Sequence, residues 1–121
     1  MKRLAIILLL LFIPSIAIAG VQNVRVLPMT YSMVASTTTV AATATAIPAT
    51  PLVNRTTIAI TLADTADTVY IGHSGVTTGT GFILDSSRPS ITIDVDDSVV
   101  VYGIVASGTA GVRCLEAKWG D

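Results

Sequence analysis

Residues 57–62 read Thr57-Ile58-Ala59-Ile60-Thr61-Leu62, and this alternation puts Ile58 and Ile60 on one side of an extended chain, the pattern of a strand with one buried face. The next four residues, Asp64 to Asp67, are turn formers whose side chains bond their own backbone. Thr68 to Ile71 (TVYI) then runs back as a partner strand. Downstream the same punctuation repeats. The Gly72 to Gly81 loop holds four of the nine glycines, which predicts an exposed and irregular connection. After it come Phe82 to Leu84, the alternating Ser90 to Val95 (SITIDV), the nearly continuous and therefore central Val99 to Val105, and Val112 to Glu116. Upstream, Pro48 and Pro51 cannot donate to a ladder and mark a bend between two sheets or the edge of one. Before that bend, Val34 to Ile47 reads as a low-complexity linker or a long edge strand, the strand favoured by its threonines and its lack of Gly and Pro, and Val24 to Leu27, ended by Pro28, is a possible first strand. No helix-period segment occurs after residue 19. The pattern predicts an all-β chain, an antiparallel β-sandwich of jelly-roll-like type with seven to eight short strands.

Composition agrees with that class and narrows the function. The chain has 121 residues, 51% hydrophobic and only 12% charged, which excludes both a disordered tail and a multidomain enzyme. Aromatics make up 5%, so the core must be built from small and β-branched side chains suited to a pleated surface. Met1-Lys2-Arg3, the apolar run Leu4 to Ile13 and the small residues of Ala17-Ile18-Ala19 form the layout of a secretory signal peptide cleaved before Gly20. With Pro14 and Ser15 inside it, the apolar stretch falls short of the roughly 20 residues of a spanning helix. The expected organisation is therefore a signal peptide at 1–19, an N-terminal β or assembly segment at 20–47 and a β-sandwich domain at 48–121. Removing Lys2 and Arg3 leaves five basic residues against eight acidic ones, a net charge of −3. Such a chain has no positive field with which to attract nucleic acid, and none for a membrane surface after cleavage.

From Ile47 onward the motifs form a recognisable series: IPATPLVNR (Ile47 to Arg55), TVYIG (Thr68 to Gly72), VTTGTG (Val76 to Gly81) and VYGIVASGTAGVRCLE (Val101 to Glu116). This series resembles a small β-sandwich module of tailed-phage virion proteins, found in capsid-decorating, head-fibre or tail-associated positions. The resemblance implies a structural or attachment element without catalytic residues, often oligomeric. Joined to a secretory signal, it implies a subunit of an extracellular or surface assembly, or of a virion if the gene is viral.

The side chains that carry chemistry are few. His73, between Gly72 and Ser74, has no nucleophile and orienting group in an elbow or triad pattern, so an exposed loop histidine is expected and no catalytic residue is assigned. One His and one Cys are too few for zinc. Asp94, Asp96 and Asp97 are weak calcium candidates, because that ion takes several carboxylate and carbonyl oxygens; their plainer role is solvated charge at a strand end and turn. No cofactor is expected. Cys114, the only cysteine, alternates with Val112 and reads as a buried inert thiol. Arg55, just after the double-proline bend, reads as a structural clamp on carbonyl groups there. Tyr70 and Tyr102 fall in central strands, whereas Tyr31 and Trp119 stand near the ends of the chain as candidates for a contact between subunits. The expected function is a non-enzymatic structural or attachment subunit that pairs with copies of itself through Val21 to Ile47. The alternative is a secreted binding module for a small ligand or glycan at the Gly72 to Gly81 loop, although that loop has no aromatic residue for stacking.

Overall fold

The computed structural model describes residues 31–119; the expected signal peptide, the start at Gly20 and the strand candidate Val24 to Leu27 lie outside them. Alternation of apolar and polar side chains produces eight strands: β1 (Tyr31–Ala41), β2 (Thr45–Ile47), β3 (Thr57–Leu62), β4 (Val69–Gly72), β5 (Phe82–Leu84), β6 (Ser90–Ile93), β7 (Val101–Ile104) and β8 (Thr109–Trp119). They form two four-stranded antiparallel sheets, ordered β1-β8-β3-β6 and β2-β7-β4-β5. That order is the jelly roll, in which two Greek keys wind around one core.

The inward faces meet in a small aliphatic core. Val40, Ile58, Ile60, Val112 and Cys114 of the first sheet pack toward Ile47, Val69, Ile71, Leu84 and Val101 of the second. Each fully buried aliphatic side chain contributes about 1.5–3 kcal/mol. Gly103 of β7 sets how closely the layers approach: a Cβ there would lie 2.6 Å from the Ile47 Cδ1 and 3.3 Å from the Val40 methyls. The core thus depends on contacts between β7 and the two strands at the start of the described chain.

Three readings of the sequence change in the folded chain. Val34 to Ile47 is two strands, one in each sheet, because the chain turns the corner between sheets at Ala42 to Ala44. Neither glycine nor proline marks that corner; the Thr45 hydroxyl builds it, accepting from the Ala41 amide at 3.2 Å and donating to the Thr43 carbonyl at 2.9 Å. Next, the described part of the segment expected to pair with another subunit is paired at home: all eleven residues of β1 align with β8, from Tyr31 against Trp119 to Ala41 against Thr109. The strands of the sandwich thus begin before Pro48, where the domain was expected to start, since β1 belongs to one sheet and β2 to the other. Finally, the glycine-rich loop is not wholly exposed. Val76 turns back into the fold and is buried, lying against Gly72 and Gly81 where any Cβ would come within 2.9 Å of its side chain.

The bend at Pro48 and Pro51 does carry the chain from β2 in one sheet to β3 in the other, and the Ile47–Pro48 peptide is cis. At its far side Asn54 adopts a left-handed φ of 60°, a conformation that asparagine tolerates better than most residues. The turn there is closed by the Arg55 amide on the Leu52 carbonyl at 3.0 Å. That turn aims the Arg55 side chain into the protein.

Candidate functional site

Arg55 is the largest fully buried side chain, and its partner is Glu116 of β8, whose carboxylate lies 2.7 Å from the guanidinium. The guanidinium also donates to the carbonyls of Val95, Asp96 and Val99, while the Glu116 carboxylate accepts the Leu52 amide at 3.2 Å. One buried pair therefore ties the proline bend, the 95–99 turn and β8 together. The expected clamp is real, but it grips the 95–99 turn and Glu116 rather than the prolines' own neighbours. Glu116 was legible in principle, because it alternates with Val112 and Cys114 and a charge on an apolar face requires a partner.

The three aspartates diverge into separate local tasks. Asp94 accepts the Thr57 hydroxyl at 3.0 Å, Asp97 accepts the Asn54 amide at 3.1 Å, and Asp96 accepts the Ser98 amide and hydroxyl. The Ser98 hydroxyl, then its amide, hold the Asp96 carboxyl below its ordinary value. The folded value lies beneath the unfolded one, so this contribution is complete above the unfolded pKa and is lost as pH falls through the lowered value. Among the described residues no three His, Cys, Asp or Glu side chains come together as metal ligands. His73 caps its own turn, with Nδ1 accepting the Gly75 amide at 3.0 Å. That bond places the proton of a neutral imidazole on Nε2.

Cys114 points inward opposite Ser36 and is 2% exposed. Burial pushes the thiol above its ordinary value, against the Ser36 and Thr38 hydroxyls, which lower it. A raised pKa and no access make an unreactive thiol. We therefore expect no alkylation of the folded protein by iodoacetamide at pH 8 and complete alkylation in denaturant. Cys114→Ser should cost about 1 kcal/mol in thermal unfolding, because it exchanges a weakly polar thiol in the core for a buried hydroxyl that must be desolvated.

The feature best suited to recognition is the outer boundary of the first sheet. Among the described residues β1 has a strand on one side only, and its eleven residues contain no proline and no charge. The other edge strands, β2, β5 and β6, have only three or four residues. Tyr31 and Trp119, the two terminal aromatics of the sequence reading, meet at one end of β1 with ring centroids 4.8 Å apart, both about half exposed. Met33 and Leu115 lie exposed on the same outward face. Tyr70 and Tyr102 are half-buried on the outside of the second sheet, alternating with buried residues of β4 and β7.

No known protein family matches this chain. No curated protein matches it. A solved structure from work described as "Bacillus endospore appendages form a novel family of disulfide-linked pili" is similar at 19% identity, over 77% of this chain and 89% of that one, with a TM-score of 0.42.

Proposed function

We propose that this protein is a non-enzymatic structural subunit, exported behind its N-terminal signal, that assembles with copies of itself at a cell or virion surface through the free edge of β1. The observation that carries the reading is that edge. An unpaired strand presents a row of amide and carbonyl groups to any other strand, and proteins that stay monomeric blunt such edges with lysine, proline, bulges or short length. β1 has none of these. Strand addition supplies main-chain hydrogen bonds without the need for a deep pocket, which suits a chain whose exposed side chains here are mostly Thr, Ser and Ala.

The test is Thr39→Lys, a charge set on the exposed part of β1 away from the aromatic end. Light scattering of the purified protein should give a mass above the monomer that grows with concentration, and Thr39→Lys should reduce it to a small closed species. A monomeric wild type, or an unchanged mass in the lysine variant, overturns the edge reading.

A further inference from the structure

The register of the first sheet assigns the outward side chains to rows. Arg113 of β8 stands between Thr37 and Thr61; Leu115 stands between Ala35 and Ala59, with Thr92 beyond; Ala117 stands beside Thr57, whose hydroxyl donates to Asp94. Around the middle row runs a shallow groove of about 360 Å³ bordered by Ala35, Ala59, Thr61, Thr92 and Leu115. Among the described residues the exposed Arg113 makes no hydrogen bond or ion pair, and Asp94 makes no ion pair. One cation and one anion therefore flank a small-residue groove from opposite corners. Arg113 is two residues from the Ala59 row in one direction and Asp94 two residues in the other, one strand to either side, so the charges are spaced about 13 Å along the strands.

We propose that this face docks the same face of a second copy. A two-fold axis lying between the two sheets at the level of Ala59, perpendicular to the line from Arg113 to Asp94, brings each Arg113 over the partner's Asp94 and sets each Leu115 down beside the partner's Ala59, with the strands of the two copies crossing steeply. Such an isologous contact is self-complementary by construction: whatever one copy offers, the other receives. Small residues at Ala35 and Ala59 allow two sheets to approach near the usual 10 Å spacing, with the leucines as interdigitating knobs. The charge pairs fix the register and disfavour a slipped arrangement, in which each arginine would lose its aspartate. This contact uses the sheet face and is independent of the edge pairing proposed above.

Sedimentation equilibrium separates the two. In the Thr39→Lys background, which blocks the edge, the protein remains a dimer. Arg113→Asp and Asp94→Arg each place like charges together and raise the dimer dissociation constant roughly tenfold or more; the double charge swap restores it to within a few-fold of the parent, while circular dichroism shows every variant folded. Rescue by the swap is the result that a merely structural role for either residue would not give. A monomer in the Thr39→Lys background, an unmoved constant in the single variants, or a swap no better than the singles overturns the face contact without touching the edge reading. A Thr39→Lys protein as large as the wild type overturns the edge and leaves the face standing.

Discussion

Replacing Glu116 with alanine should destabilise the protein by about 3–5 kcal/mol, the cost of stranding a buried charge without its partner. The Arg55 guanidinium is fully buried and would keep its donors to Val95, Asp96 and Val99 but lose the carboxylate at 2.7 Å that neutralises it. The Leu52 amide, which Glu116 also accepts, would be left open at the same moment. Against a total stability of roughly 5–15 kcal/mol for a domain of this size, the loss amounts to a melting temperature lower by on the order of 15–30 °C. Thermal denaturation followed by circular dichroism measures it directly. Glu116→Gln should fall in between, since an amide oxygen can still accept from Arg55 and Leu52 without supplying charge. Arg55→Met combined with Glu116→Leu should lose less than Glu116→Ala alone, because removing both ions together leaves no buried charge uncompensated. A loss below about 1 kcal/mol for Glu116→Ala would show that water or a rearranged carboxylate reaches Arg55.

The sequence-to-structure relation divides at the scale of the interaction. Local patterns were readable: Thr57 to Leu62 forms β3 with Ile58 and Ile60 buried, and Val101 to Ile104 lies between β2 and β4 as its continuous apolar run implied. The two-sheet corner at Ala42 to Ala44 was not readable, because alanine and threonine suit a strand or a bend alike and the deciding Thr45 hydroxyl bonds leave no compositional mark. The Arg55–Glu116 pair spans 61 positions of sequence, and only the topology says which buried arginine answers which inward glutamate. Tyr31 and Trp119 stood out as the terminal aromatics of an aromatic-poor chain, yet their contact, with rings tilted by 44°, follows from β1 and β8 pairing end to end. Asp94, Asp96 and Asp97 read as weak calcium candidates with a plainer role at a strand end and turn, and in the folded chain they accept from Thr57, Ser98 and Asn54, partners that only the fold supplies for Asp94 and Asp97.

A chain that starts at Pro48 should fail to fold cooperatively. Its loss is larger than that of any single side chain considered above. It lacks Val40 and Ile47, both with no exposure, and their burial alone accounts for about 3–6 kcal/mol. It also uncovers what they covered. Val112 and Cys114 of β8 lose the β1 side of their sheet, and Gly103, with no side chain of its own, is left beneath the vacated Ile47 and Val40. β8, the central strand flanked by β1 and β3, becomes an eleven-residue edge, and the four-residue β7 becomes the edge of the second sheet. Removing the ladder partners of both strands therefore subtracts an amount comparable with the whole stability of roughly 5–15 kcal/mol and creates one long sticky edge, that of β8, in the same step. The comparison is between the full protein and a chain beginning at Pro48, read by the sharpness of urea unfolding and by soluble yield. A fully cooperative transition in the shortened chain would mean that β3 to β8 close their own core and that β1 and β2 are additions to it. A broad, non-cooperative profile, with aggregation that full-length protein does not show, is the outcome expected from a jelly roll in which the first two strands hold one edge of each sheet.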